Sequence, residues 1–328
     1  MAVSPNISEI VTTTLVNYNA NITDNISNNN PLLYKLKERG NMRLEDGGVV
    51  IRENIFYAEN TAKGWYSKRE FLRTNRSDVL TAVDYEWKQY HVGIGIDGLE
   101  MRQNSGKWAI LNLLKSRITN AYDSMYNDMG AAVFLDGTQD GGRAMGGLAL
   151  LVSAVPNSGV VGGIDRGTTV GAFWRNQKFS ATIDGGAALT SSNILNYVNR
   201  IISNTSRNGD KIDLIILGSN YYALMQDALI TYSRYMPEGK LLKAGFASIS
   251  YQGIDIIDGG GVGSTMDPNI GYFLNTKYIK LVTHKDQNFE PLPFGERASF
   301  NQDAMMKYIG WMGNMVLTYA RGQAVLIP

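Results

Sequence analysis

Cysteine is absent from all 328 residues. No disulfide, thiolate nucleophile or cysteine-bound metal can therefore form. Histidine is nearly absent too: His91 and His284 stand far apart, and no H-E-x-x-H spacing occurs. A dominant sign of charge is also missing, since 31 Lys and Arg against 30 Asp and Glu leave +1. Chains that grip nucleic acid through phosphates carry a clear basic excess. Any contact with DNA is therefore expected to be local and weak. No run of eighteen apolar residues exists, so no membrane-spanning helix is expected. The opening MAVSPNISEIV lacks a basic stretch followed by an apolar one, so no secretion signal is expected and the sequons at Asn21 and Asn25 are set aside. A G-x-S-x-G elbow is missing. Asp165, Asp184 and Asp258 lie in glycine-rich stretches, where Asp is a common turn residue. Paired carboxylates meet only in a fold. The sequence itself assigns no catalytic residue, no cofactor and no metal.

Glycine, in contrast, is abundant at 35 residues, and hydrophobic residues at 44% with 19% charged describe a globular chain of one to three domains. Its organising stretch runs from Gly106 to Leu135. Trp108, Leu111, Leu114, Ile118, Tyr122, Met125, Met129 and Val133 recur three or four apart, one continuous helical stripe. Lys115, Thr119, Asn120, Asp123 and Asn127 occupy the other face. Ser105 is in place to cap the start, and Asp136-Gly137 to stop the end.

Before this helix, residues 1–34 hold little charge and much Asn, Thr and Ser, with Ile7, Ile10, Val11, Leu15 and Tyr18 as a short stripe. They read as an arm that needs another surface. PLLYKLKERG is a short amphipathic segment ended by Gly40. Residues 41–80 read as a long hairpin: VVIRENIFY outward, Glu59 to Gly64 at the tip, WYSKREFL returning. Apolar and charged residues fall on both of its faces, so neither is a clean core face. Residues 35–76 carry ten Lys/Arg and six Asp/Glu, the most basic part of the chain. An isolated two-stranded ribbon is marginal in water, so the hairpin is expected to lean on a partner.

Residues 82–97 form the next strand and contain Gly93-Ile-Gly95-Ile-Asp-Gly98, a literal G-x-G-x-x-G. A dinucleotide site needs that motif in a tight strand-to-helix turn. Here the glycines alternate within the strand, where they allow close packing. After the long helix come DGTQDGGRAMGG, a helix from Thr190 or Ser191, a buried strand at KIDLIIL, and a helix at YYALMQDALITYSRYM. Strands are expected at 247–257, 270–274 and 278–283, and over 300–327. GGGVGST lacks the P-loop lysine.

This order of pieces resembles the major capsid proteins of tailed bacteriophages with the Hong Kong 97-type fold. The stretches that carry the resemblance are GGVVIRENIFYAEN, YEWKQYHVGIGIDGLEMRQNSG, the helix ending in FLDG, GYFLNTKYIKLVTH and QDAMMKYIGWMGNMVLTYARGQAVL. The resemblance implies an α+β fold. Residues 1–41 would be an N-terminal arm and 42–80 an extended loop over a neighbouring subunit. Residues 81–147 with 300–328 would form a discontinuous peripheral domain with a spine helix at 106–135, and residues 148–299 an axial domain. It implies that Glu59, Asn60, Lys63, Trp65 and Tyr66 touch another subunit. Its partners would be copies of itself in hexamers and pentamers, with a scaffolding protein, portal, decoration protein and packaged double-stranded DNA. The protein would lie in the virion capsid after assembly in the host cytoplasm. Some members begin with a cleaved scaffolding segment, which is not expected here, and some cross-link a loop lysine, which no motif assigns to Lys63. The alternatives are the shell of an encapsulin-like nanocompartment and an α/β nucleotide-dependent enzyme.

Overall fold

The computed structural model describes residues 30–99, 107–231, 248–259, 264–292, 297–298 and 304–328. The arm stripe at Ile7 to Tyr18 and the Ser105 cap lie outside them, as do the side chains of residues 107–114. Helix α1, Pro31–Glu38, starts where Asn30 Oδ1 accepts the amides of Leu32 (3.0 Å) and Leu33 (3.4 Å), with proline in the first turn. Gly40, at φ 70°, closes it. Leu32, Leu33 and Leu36 are buried, so this part of the expected arm packs on the subunit's own core.

Helix α2, Lys107–Ala132, buries Ile118, Tyr122, Met125 and Met129 and exposes Lys115, Thr119, Asn120, Asp123 and Asn127, as the stripe requires. Its helical path ends before Asp136-Gly137, and its last carbonyls find partners beyond the helix. Thr265 Oγ1 donates to the Ala131 carbonyl (2.8 Å), Asn30 Nδ2 to that of Gly130 (3.5 Å), and the Leu148 amide to that of Val133 (2.7 Å).

Against α2 lies a five-stranded sheet. Strand β1, Met42–Glu45, pairs in parallel with β12, Ile279–Pro291; β12 pairs antiparallel with β14, Ala304–Leu317; and β4, Lys88–Asp97, lies on the other side of β14. The short β13, Arg297–Ala298, adds to β14 near its start. Gly93 faces Tyr308 and Gly95 faces Met306 in the β4–β14 ladder, and a Cβ on Gly93 would stand 3.1 Å from the Tyr308 ring. The G-x-G glycines thus make room for neighbouring side chains on the sheet.

A six-stranded sheet runs through Gln177–Ser180 (β7), Ala324–Ile327 (β15), Gly271–Leu274 (β11), Leu214–Leu217 (β8), Ile254–Asp258 (β10) and Ser248–Tyr251 (β9), in that spatial order. Both faces are covered, which is why the strand segment Leu214–Leu217 of KIDLIIL is apolar at every position. Leu214, Ile216, Tyr272 and Val325 join the core shared with α2. Ile215, Leu217, Phe273 and Leu326 pack with helices α3, Ile194–Thr205, and α4, Ser219–Thr231. Lys35 of α1 reaches Asp255 of β10 at 2.9 Å, both largely buried, and ties the two sheets together.

Several expected boundaries shift. Asn193 rather than Thr190 or Ser191 precedes α3. The strand expected at 247–257 is a hairpin, turned by Gln252 (φ 53°) and Gly253 (φ 78°), a pair of left-handed residues suited to a two-residue turn. The strand region at 300–327 divides between the two sheets. Strand β12, from the segment expected to be axial, belongs with β4 and β14.

Candidate functional site

The feature that leaves the body of the subunit is a loop carried on a two-stranded ribbon, whose strands pack on the core. Strand β2, Ile51–Phe56, pairs antiparallel with β3, Leu80–Tyr85, from Ile51↔Tyr85 at the base to Phe56↔Leu80 at the far end. The return strand is thus LTAVDY; WYSKREFL forms no strand. The single strand expected over 82–97 breaks at Glu86 and Trp87, where Asn314 Nδ2 donates to the Glu86 carbonyl (2.8 Å). The ribbon also has one clean face, contrary to the sequence reading. Ile51, Ile55, Val83 and Tyr85 are buried, whereas Arg52, Asn54 and Phe56 point away from that core. Expectation failed here because the inward charge, Glu53, is matched inside: Arg43 meets it at 2.8 Å and Lys280 at 2.9 Å.

The base is held by polar groups under β3. The Tyr85 hydroxyl donates to the Leu317 carbonyl (3.0 Å) and accepts the Leu317 amide (3.2 Å). Burial pushes the Tyr85 phenol well above its ordinary pKa. The Asp84 amide donates to the Gly162 carbonyl (3.1 Å). Gly162 turns the two-stranded hairpin of β5, Val160–Val161, and β6, Ile164–Asp165, which leads directly into Arg166. Arg166 is fully buried and donates to the carbonyls of Leu150 (3.2 Å) and Leu151 (2.7 Å). Desolvation lowers its pKa to about 10. Trp174 Nε1 donates to the Val161 carbonyl at 3.0 Å. On the outer face Arg52 grips Asp84 with two bonds of 2.7 Å and holds that carboxyl below its usual range.

Beyond Phe56 and Leu80 the two limbs stay joined for a few residues. The Tyr57 amide donates to the Val79 carbonyl (3.1 Å), and the Thr61 amide donates to Ser77 Oγ (3.0 Å). Asn60 Oδ1 accepts from the Ala62 amide (2.8 Å) and the Ser77 hydroxyl (3.0 Å). Glu59 bonds Lys63 and lies 3.5 Å from Arg207, just beyond α3. Glu59 and Asn60 therefore sit on a limb, and the tip expected at 59–64 lies farther on, at residues 62–76.

That tip carries large side chains in solvent. Trp65 is 103% exposed, Phe71 99%, Tyr66 73% and Leu72 64%. Lys63, Lys68, Arg69, Arg73 and Arg76 face a single acid, Glu70. Large apolar side chains exposed together in one loop make the tip a candidate interaction surface. Among the five expected contact residues, Trp65, Tyr66 and Lys63 share the tip, while Glu59 and Asn60 brace it. Phe71 and Leu72, which no sequence expectation named, stand exposed in the same loop.

A second feature is a cavity of about 850 Å³ beside the start of β4. Trp311, Met129 and Met145 are among its buried lining residues. The glycine-rich stretch after α2 forms one wall, with Asp140 held at φ 53° between the wall residues Gln139 and Arg143. Gln139 Oε1 is buried there without a hydrogen-bond partner. Among the described residues no group of three or more His, Cys, Asp or Glu could hold a metal ion.

No protein-family model matches the sequence, and no curated protein matches it. Solved structures do match in three dimensions. The capsid asymmetric unit of Cyanophage A-1(L) superposes with a TM-score of 0.63 at 13% identity, covering 88% of this chain and 90% of its own. The capsid of an empty GTA particle gives 0.51 at 11% identity, over 88% and 94%. The holo-SrpI encapsulin complex from Synechococcus elongatus PCC 7942 gives 0.55 at 8% identity, over 89% and 86%. At such identities the likeness concerns architecture alone. The chain has the α+β fold of phage capsid proteins, the Hong Kong 97-type fold that its sequence resembles.

Proposed function

We propose that the protein is the major capsid protein of a tailed bacteriophage, a structural protein without catalytic activity that assembles into hexamers and pentamers of an icosahedral shell around double-stranded DNA. The observation that carries this reading is the ribbon: a capsid-type fold holds a braced loop in solvent with Trp65, Tyr66, Phe71 and Leu72 uncovered. Burying each such side chain against a second copy contributes about 2–3 kcal/mol before ordering costs. Repetition through a closed shell makes small contacts cumulative. Glu59, Asn60, Lys63, Trp65 and Tyr66 are the inter-subunit contact residues of this reading, to which Phe71 and Leu72 are added. In domain terms, the five-stranded sheet with α2 as spine is the peripheral domain and the six-stranded sheet the axial domain. Scaffolding, portal and decoration proteins are the further partners, and the place of action is the virion capsid after assembly in the host cytoplasm. The near-neutral charge suits a container that holds DNA without clamping it.

Negative-stain microscopy of the purified protein, alone and with its scaffold, tests the reading. Capsomers or closed particles are expected; a monomer under all these conditions sinks it. The likeness to the encapsulin complex supports a second reading, a cellular nanocompartment. Particles that enclose protein and no nucleic acid when made in their native host would favour that one.

A further inference from the structure

The turn between α3 and β8 holds the chain's single Asn-Gly pair, Asn208-Gly209. It is a two-residue loop: the Arg207 amide donates to the Asp210 carbonyl and the Asp210 amide to the Arg207 carbonyl, each at 3.0 Å. This bridge stands alone, outside both sheets. Asn208 takes φ 54°, in the left-handed region, and both loop residues are exposed. Among the described residues nothing bonds the Asn208 carboxamide or the Gly209 amide. A Cβ on Gly209 would meet nothing within 4 Å, so no neighbour shields that nitrogen, and glycine has no side chain of its own to do so. The side-chain carbonyl carbon and the next backbone nitrogen are thus one five-membered ring closure apart. They are free to meet whenever the lone bridge opens, an event of low local cost.

We infer that Asn208 is a site of spontaneous covalent modification, where attack by the Gly209 nitrogen expels ammonia and closes a succinimide that water opens to aspartate or isoaspartate. The bond from the Gly209 nitrogen to Asn208 Cγ forms as the Cγ–Nδ2 bond breaks, and the amide proton of Gly209 passes through solvent to the departing ammonia. Water then adds across one of the two imide C–N bonds. Opening on the side-chain side leaves aspartate; opening on the main-chain side leaves isoaspartate, with the backbone routed through Cβ. The sum is one water taken up and one ammonia released, with no oxidant, metal or second protein, and it holds whether or not the chain forms a shell. Either product places a new carboxylate beside Arg207, whose guanidinium already lies 3.5 Å from Glu59 on the ribbon limb. It also stands two residues from Asp210, a carboxyl that Lys277 and the Tyr278 hydroxyl hold below its usual range. The new charge competes with Glu59 for Arg207, and isoaspartate adds a methylene that breaks the Arg207–Asp210 pairing. The chemistry thus loosens the limb that carries the loop.

Purified subunit aged in warm, mildly alkaline buffer and followed by peptide mapping with mass spectrometry tests the site. Asn208 is expected to gain one mass unit at least about tenfold faster than Asn75, an exposed loop asparagine followed by arginine, a difference of about 1.4 kcal/mol in barrier. Hydroxylamine, which cleaves the imide, should split the aged chain into residues 1–208 and 209–328. Gly209 is not left-handed and its surroundings are open, so Gly209→Ala folds; its methyl crowds the attacking nitrogen and should slow the change about tenfold. An unchanged Asn208 while Asn75 reacts, or equal rates in Gly209→Ala and wild type, overturns the site. The urea-unfolded chain supplies the reference for the turn: a rate in the folded subunit within about tenfold of it is expected, and protection beyond about a hundredfold overturns the argument that the fold leaves both atoms free. For the consequence, Asn208→Asp should speed hydrogen exchange at the Tyr57 and Thr61 amides, which join the two limbs, about twofold or more. Equal exchange in the two proteins overturns the link to the ribbon.

Discussion

Gly147 and Gly130 sit at the same end of α2, and replacing each by alanine should shift stability in opposite directions. A Cβ on Gly147 would stand 2.6 Å from the Leu135 carbonyl oxygen and nearer still to those of Ala132 and Val133. Those oxygens line the exit of the helix, where Asn30, Thr265 and Leu148 already hold neighbouring carbonyls in place. The methyl group cannot be accommodated by a side-chain rotation. Overpacking against rigid backbone costs about 1–3 kcal/mol. Displacing the Leu148 amide from the Val133 carbonyl leaves buried polar groups unpaired, at about 1–3 kcal/mol more. Gly147→Ala should therefore destabilise the subunit by roughly 3–5 kcal/mol, a large part of the total for most domains. A Cβ on Gly130, inside the helix, would meet nothing within 4 Å. Gly130→Ala should stabilise by about 0.5–1 kcal/mol, because glycine loses the most backbone freedom on folding. Urea unfolding of dissociated subunits, followed through the buried Trp174 and Trp311, reads both. A Gly147→Ala protein within about 1 kcal/mol of the wild type, or a Gly130→Ala protein destabilised by as much, would refute the reasoning.

Further outcomes follow from the ribbon and its supports. Trp65→Ala with Phe71→Ala should leave the subunit's stability within about 0.5 kcal/mol, since both side chains lie in solvent, yet impair assembly; a loss of about 2 kcal/mol would mean that the loop packs on its own subunit. Arg166→Ala should cost about 3–5 kcal/mol by leaving the Leu150 and Leu151 carbonyls without donors, checked by the same titration. Asp84 is held below the ordinary carboxylate range by Arg52, so its stabilisation is complete above the unfolded value and disappears as pH falls through the lowered one. The stability gap between wild type and Asp84→Asn should accordingly be flat across neutral pH and shrink on acidification; a gap that widens in acid contradicts the pairing. Gly93→Ala should cost about 1 kcal/mol against the Tyr308 ring, and Gly95→Ala much less, with no nucleotide binding in either or in the wild type by calorimetry.

The long helix was legible because a stripe at 3.6-residue spacing needs only one apolar neighbour to be satisfied, and α1 and β8 were legible for similar local reasons. The ribbon was misread where local pattern and context part. WYSKREFL has strand-like composition, but nothing covers its side chains, and strand preference is mostly a preference for packing. Glu53 disguised a buried face because its partners, Arg43 and Lys280, come from β1 and β12. The division of the C-terminal stretch was equally hidden: period-two alternation reveals which face a residue takes, never which strand lies alongside. The exposed loop was legible in part, since aromatic and basic composition survives without a fold, whereas the cavity is assembled from β4, the end of α2, the glycine-rich wall and β14 and has no linear signature.

Strand β15 lies between β7 and β11, in parallel with the former and antiparallel to the latter. During synthesis β7, ending at Ser180, emerges long before its ladder neighbour, which begins only at Ala324. The six-stranded sheet is therefore a late event on the ribosome, dominated by contacts of long sequence separation and slow for that reason. A chain truncated before Ala324 would leave two strand edges bare within the sheet. A polypeptide without Ala324–Ile327 therefore lacks the strand that joins β7 to the rest of the six-stranded sheet, and with it half of the framework that backs the core shared with α2.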